Sequence, residues 1–277
     1  MENTIHKTIL YKKENLRIDQ LIINCIQLMD NILQKDAHLF LYITPYRVLP
    51  LSNNDGFILM VDNAETIYDI KHKYKFSIQN YILEKNVYSD SKPIGEIREI
   101  YMKSCAAYCV ISYLLGIGDR HLENILITHH GILFHIDFDY ILGYEPKILS
   151  PEIRITPEMI DAMGGPNSKY YTEFKKICTQ AYNCIRRHFG LFYEILSLLY
   201  LENSNKQFTE EYVTKQLISR FIPGENYENA ELQFITRVAK SSSDTRAHKF
   251  IDYWHYHANE RNSIPGIIDT VYNYITG

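Results

Sequence analysis

The longest uncharged run of the chain, Ser104 to Gly118, constrains the fold more than any other feature. It falls short of the roughly 20 residues that a helix needs to cross a bilayer, and it breaks at glycines. It therefore reads as a helix buried on all sides, around which the rest of the chain must pack. A chain of 277 residues has length enough for that, as one bilobal enzyme or two small domains. An apolar fraction of 46% and a charged fraction of 22% fit a globular protein and exclude disordered or fibrous classes.

A formal charge of -4 supplies no general attraction to nucleic acid or to an anionic membrane. No nucleic-acid partner is expected, and any such contact would fall to a local patch drawn from Lys169, Lys175, Lys176, Arg186 and Arg187. The five cysteines are an odd number without a C-x-x-C pair, which points to a reducing compartment rather than a disulfide framework. Cys105 and Cys109 share a helical face, where core packing is a better account than metal binding. The N-terminus lacks the apolar stretch of a signal peptide, so a soluble or peripheral protein is expected.

Residues 7 to 12 read as a short strand, and Leu16 to Leu33 as an amphipathic helix from the three-to-four spacing of Leu21, Ile22, Cys25, Ile26, Met29, Ile32 and Leu33. Two further strands are expected at Phe40 to Ile43 and Phe57 to Val61, with a turn at 52 to 56. Beyond Val61 the pattern is mainly helical, at Tyr101 to Leu115 and near 169 to 188, 190 to 201, 209 to 221 and 243 to 262. Strands followed by helices give an α+β class, with a ligand cleft expected at the junction near 61 to 64.

The chemistry concentrates in Gly118-Asp119-Arg120-His121-Leu122-Glu123-Asn124 and, after two apolar runs, Asp137-Phe138-Asp139. Phosphoryl transfer needs a hard cation on oxygen ligands, a group that handles the attacking hydroxyl, and positive charge at the phosphoryl group. A hairpin of Ile125 to Thr128 and Ile132 to Ile136, turned at His129-His130-Gly131, would bring Asn124 and Asp137 together across a cation. Asp119 and His121 remain for the hydroxyl and the phosphoryl group. Arg120 reads as structural, and His135 as an inward-facing strand residue without a catalytic role.

Gly-Ile-Gly-Asp-Arg-His-Leu-Glu-Asn and Leu-Phe-His-Ile-Asp-Phe resemble the catalytic loop and metal motif of the phosphatidylinositol 3- and 4-kinases, which read G-D-R-H-x-x-N and D-F-G. Residues 101 to 110, 140 to 147 and 161 to 165 resemble the class III members, as do Leu16 to Leu21 and Thr44 to Leu49 the family's upstream motifs. The resemblance implies a bilobal protein-kinase-like fold with residues 1 to 61 as a small N-lobe and 62 to 277 as a larger, mostly helical C-lobe. It implies ATP with Mg2+, or Mn2+ in its place, and transfer of the γ-phosphate to the 3-hydroxyl of phosphatidylinositol. A regulatory subunit, roles in membrane trafficking and autophagy, and a cytoplasmic location on an endosomal-type membrane face follow from the same resemblance.

By matching positions, Asp119 and His121 act on the hydroxyl and γ-phosphate, and Asn124 and Asp137 hold magnesium. Lys12, with Lys13 as its alternative, touches the ATP phosphates, while Asp19 and Tyr46 lie deep in the nucleotide pocket. Leu59, Met60 and Val61 form the hinge that offers backbone groups to adenine. Lys147 and Arg154 face the lipid headgroup, and helix 249 to 256 carries aromatic and basic groups suited to a membrane interface. Two departures bear on activity. Only eleven residues precede Lys12, so the strands and loop that cover the phosphates are expected to be absent, giving a truncated N-lobe. Asp139 also stands where the family has glycine, a position at which a positive φ would strain it and its carboxylate would meet the magnesium site. A weak or inactive kinase-like binding module is therefore the alternative, and a phosphatidylinositol-kinase-like protein kinase the next.

Overall fold

The computed structural model describes residues 7–88, 92–145, 151–201 and 208–243. Strand β1 (Ile9–Lys12) is followed by helix α1 (Arg17–Asp36), then β2 (Val48–Pro50) and β3 (Gly56–Leu59). These strands form one antiparallel sheet in the order β1-β3-β2, with Ile9 opposite Leu59 and Val48 opposite Ile58. Pro50 is accommodated because β2 is an edge strand, where a missing N–H breaks no ladder. Helix α1 forms as its spacing predicts, burying Ile22, Cys25, Ile26, Met29 and Leu33.

The strand expected at Phe40 to Ile43 does not form. His38 and Tyr42 take left-handed backbone angles of 52° and 54°, which no regular strand can absorb. Leu41 is buried there, with Phe40 and Tyr42 exposed on either side. The strand expected at Phe57 to Val61 runs instead over Gly56–Leu59.

A second antiparallel sheet follows, β4 (Ala64–Thr66), β5 (Ile125–Thr128) and β6 (Leu133–His135), in that order. Between β4 and β5 lie α2 (Ile67–His72), α3 (Ile78–Tyr88) and α4 (Ile94–Leu115). The C-terminal part consists of α5 (Pro157–Ala162), α6 (Lys169–Arg186), α7 (Phe189–Leu201), α8 (Glu210–Phe221) and α9 (Tyr227–Ser243). The sequence pattern missed α9, although Ala230, Phe234 and Val238 recur at four-residue spacing and all are buried. The helix expected at 243 to 262 lies outside the described residues, as does the 249 to 256 membrane segment.

Helix α4 is the axis of the larger part. Every residue from Ser104 to Leu115 is buried, and the helix packs against α1, α3, α6, α8 and β6. It stops at Gly116, whose φ of +60° caps it in the left-handed conformation. A Cβ on Gly116 would lie 2.4 Å from the amide nitrogen of Gly143, so the chain returning after the metal motif needs a glycine here. One hydrophobic cluster runs from Leu16 to Val238, uniting both sheets and the helices. Among the described residues no helix is long and apolar enough to cross a membrane.

Candidate active site

The hairpin β5–β6 delivers Asn124 at its start and Asp137 just past its end. Its register pairs Ile125 with His135, and the Ile136 amide donates to the Asn124 carbonyl at 3.2 Å. Residues distant in sequence thus become neighbours through a strand pairing, as the two apolar runs predict. His135 points into the core, with Nδ1 3.0 Å from Ser112 Oγ and its ring 5.1 Å from that of Tyr108. Burial, then the charge of Arg120, holds its pKa well below the ordinary histidine value.

Arg120 ties the two motifs together. Its Nε donates to the Gly118 carbonyl at 2.7 Å, Nη1 to the Ile136 carbonyl at 2.7 Å, and Nη2 to the Asp137 carbonyl. The guanidinium also lies over the Phe138 ring, 5.7 Å from its centroid. Only a planar donor fork serves three carbonyls in this way.

Asp119 and Asp137 have left-handed backbones, with φ of 48° and 62°. Aspartate tolerates this region better than most residues. Asp139 is not among the left-handed residues, so the backbone strain expected at that position falls on Asp137 instead.

The His121 imidazole is buried, with Nε2 3.6 Å from Asp119 Oδ2, and its Nδ1 accepts from the Glu123 amide at 3.3 Å. That bond places the proton of a neutral ring on Nε2, facing Asp119. Asn124 Nδ2 donates to the Asp119 carbonyl at 3.2 Å, which leaves the Asn124 amide oxygen for a cation.

Around Asp137 the structure gathers Asp19, Asp139 and Lys12. Asp19 Oδ1 accepts the Phe138 amide at 3.2 Å, and Tyr46 stacks on the Phe138 ring at 6.4 Å and 14°. Burial, with the charges of Asp139 and Asp137 adding to it and the Phe138 amide opposing, pushes the Asp19 pKa up to about 7. Burial of Lys12 opposes its charge, but its partner Glu14 and the carboxylates of Asp137 and Asp19 outweigh this and raise its pKa. Lys12 therefore faces the acidic site, while Lys13 is exposed. Burial, the charge of Asp137 and that of Glu14 raise the pKa of half-buried Asp139.

Other expected positions are less direct. Of the hinge amides, that of Leu59 donates to Arg47 and that of Met60 to Thr8, each at 2.9 Å. Arg154 is only 5% exposed, in a segment whose Ile153 carbonyl accepts from Ser241 and whose Glu152 pairs with Arg237 at 2.7 Å. Lys147 lies outside the described residues. Arg186, considered above for a surface patch, is buried, and its guanidinium holds the carbonyls of Ile222, Glu225 and Asn226. Sequence reasoning missed Glu14 and Glu145, since a lone glutamate in a loop carries no signal until its partner is placed.

The donor set fits magnesium. Among the described residues no three His, Cys, Asp or Glu side chains converge to hold a metal by themselves. Two hard oxygens, from Asn124 and Asp137, suit a cation that completes its shell with water and phosphate oxygens.

The Asp19 carboxylate yields a prediction with a definite sign. Its folded pKa of about 7 lies above the unfolded value of 3.8, so the folded state binds the extra proton between those limits. Its contribution to stability is lost as pH rises from about 4 to 7 and is level above that. In metal-free protein, Asp19→Asn keeps an acceptor for Phe138 and removes that loss. Its advantage over the wild type should be absent at pH 4 and reach roughly 2–4 kcal/mol by pH 8. Chemical denaturation across that range would measure it, and a pH-independent difference would contradict the assignment.

A sequence profile of the family described as Phosphatidylinositol 3- and 4-kinase matches residues 6–94 and 71–209. The chain is 35% identical over 254 residues to Phosphatidylinositol 3-kinase pik3 of Schizosaccharomyces pombe, covering 89% of this chain and 31% of that protein. It is 41% identical over 198 residues to Phosphatidylinositol 3-kinase VPS34 of Arabidopsis thaliana, covering 70% and 24%. With Phosphatidylinositol 3-kinase VPS34 of Saccharomyces cerevisiae the figures are 39% over 194 residues, 69% and 22%. The chain spans less than a third of the length of these relatives.

Proposed function

We propose, from the premise that this chain belongs to the phosphatidylinositol 3- and 4-kinase family, that it carries the phosphoryl-transfer site of a phosphatidylinositol 3-kinase acting at a cytosolic membrane face. The observation that carries this reading is the Arg120 clamp, which joins the loop bearing Asp119, His121 and Asn124 to the backbone of Asp137. Such a clamp holds reacting groups in a fixed arrangement before substrate arrives, and phosphoryl transfer depends chiefly on positioning and electrostatics.

In this reading Asp119 orients the attacking hydroxyl and receives its proton. His121, with its Nε2 proton on the same side, donates toward the γ-phosphate oxygens. Lys12 neutralises phosphate charge at the end of β1, and the Val61 amide serves adenine, because those of Leu59 and Met60 are used within the small sheet. Asn124 and Asp137 would hold magnesium, which would supply charge neutralisation for the phosphates. The preference for the 3-hydroxyl rests on similarity to the phosphatidylinositol 3-kinases of yeast and plants. Purified protein, labelled ATP and phosphatidylinositol vesicles test it directly. Labelled 3-phosphate is expected, and label at another ring position, or on protein alone, would overturn the specificity.

A second reading, a kinase fold that transfers little phosphate, is favoured by Asp139, a half-buried carboxylate whose charge interacts unfavourably with that of Asp137. Because Asp139 is not left-handed, its effect must be electrostatic. Asp139→Asn is therefore expected to lower KM for ATP several-fold by removing a charge that repels the phosphates. A higher KM together with a greater magnesium requirement would instead make Asp139 a metal ligand.

A further inference from the structure

The catalytic loop is held from two directions. Within the loop, the Asp119 carbonyl accepts from the His121 amide at 2.9 Å and from Asn124 Nδ2 at 3.2 Å. These bonds travel with the loop and cannot place it. From outside, the chain returning after Asp139 lies along it. The Leu142 amide donates to Leu115, the Gly143 amide to Gly116, and the Gly118 amide to Tyr140, at 2.8 to 2.9 Å. The last tie in this series is made by a side chain: the Asp119 amide donates to Glu145 Oε2 at 3.0 Å.

We propose that Glu145 is a positioning residue, whose carboxylate holds the Asp119 amide and so fixes the orientation of the catalytic aspartate. The proposal rests on the assignment of Asp119 to the attacking hydroxyl. Two observations carry it. First, Asp119 has a sparsely populated φ of 48°, and its amide is tied from outside the loop by the Glu145 carboxylate. A charged acceptor on its amide is a stronger constraint than a neutral one.

Second, the approach is built into the backbone. A Cβ on Gly118 would lie 2.9 Å from Glu145 Oε2 and 2.7 Å from the Tyr144 carbonyl, so the carboxylate sits directly over the loop. One carboxylate thus braces the loop at Asp119.

The test compares Glu145→Ala with Glu145→Gln, which keeps an oxygen acceptor. In the alanine variant kcat for lipid phosphorylation is expected to fall about tenfold or more, with KM for ATP within about twofold of wild type. The glutamine variant is expected to recover most of kcat. Independently of activity, hydrogen exchange of the Asp119 amide should accelerate in the alanine variant and remain slow in the glutamine variant. A slow amide and unchanged kcat in the alanine variant would overturn the proposal. So would equal damage in both variants with nucleotide binding lost, because that marks general disruption of the loop. If the wild-type protein labels no lipid, the assigned reaction fails, and the exchange measurement alone decides whether Glu145 holds the loop.

Discussion

Asp137→Asn is expected to reduce lipid phosphorylation by about a thousandfold or more, with Tm moving by no more than a few degrees. The activity loss follows from chemistry that asparagine cannot supply. Its amide oxygen is neutral, and a hard divalent cation would lose the charge of its one carboxylate ligand. The stability expectation follows from the structure. Asp137 has a left-handed backbone that asparagine adopts as readily as aspartate. Its carboxylate is repelled by the charges of Asp19 and Asp139 and attracted by those of Lys12 and Arg120, so its removal leaves the balance little changed. Metal-free Asp137→Asn is thus expected to be about as stable as the wild type. Initial rates with labelled ATP and calorimetry on the same preparations check both parts. Turnover near the wild-type rate would remove Asp137 from the metal site.

Arg120→Lys is expected to differ from it in stability, with a large loss. The guanidinium is buried and serves three carbonyls, those of Gly118, Ile136 and Asp137. A lysine ammonium carries donors at a single atom and cannot span three acceptors that surround a planar fork. Carbonyls left unpaired in the interior cost about 1–3 kcal/mol each. A net loss of roughly 3–5 kcal/mol corresponds to a fall of about 10 °C in Tm for a chain of this size. Activity should disappear as well, because the loop and the metal motif lose their common anchor. A drop of under about 3 °C would show that other contacts hold these carbonyls. The two variants together separate a residue that carries charge for the reaction from one that holds the framework.

Much of the site was legible before the structure. The β5–β6 hairpin could be read from two apolar runs around His129-His130-Gly131, because alternation and a turn signal act locally. His135 is buried as expected, although strand alternation alone would put residues 135 and 137 on one face, and the burial of α4 followed from its lack of charge. The class of chemistry was equally visible, since Asp119, His121, Asn124 and Asp137 are residue types whose roles depend on their functional groups. The strand expected at 40 to 43 did not form. Its composition suits a strand, but His38 and Tyr42 take left-handed angles that break the extended run on either side of buried Leu41.

The sequence alone thus determined which functional groups are present, and which short segments bring them near one another. Only the tertiary structure decided how these groups are held and charged. The Asp19 pKa depends on burial and on carboxylates more than a hundred residues away in the chain, and the strain at Asp137 rather than Asp139 depends on how the chain leaves β6. Glu145 becomes meaningful only where the returning chain crosses Gly118, and Arg120 only where three carbonyls converge. The physical reason is the same in each case. Side-chain chemistry belongs to the residue, whereas desolvation, electrostatic neighbours and hydrogen-bond partners belong to the place where folding puts it.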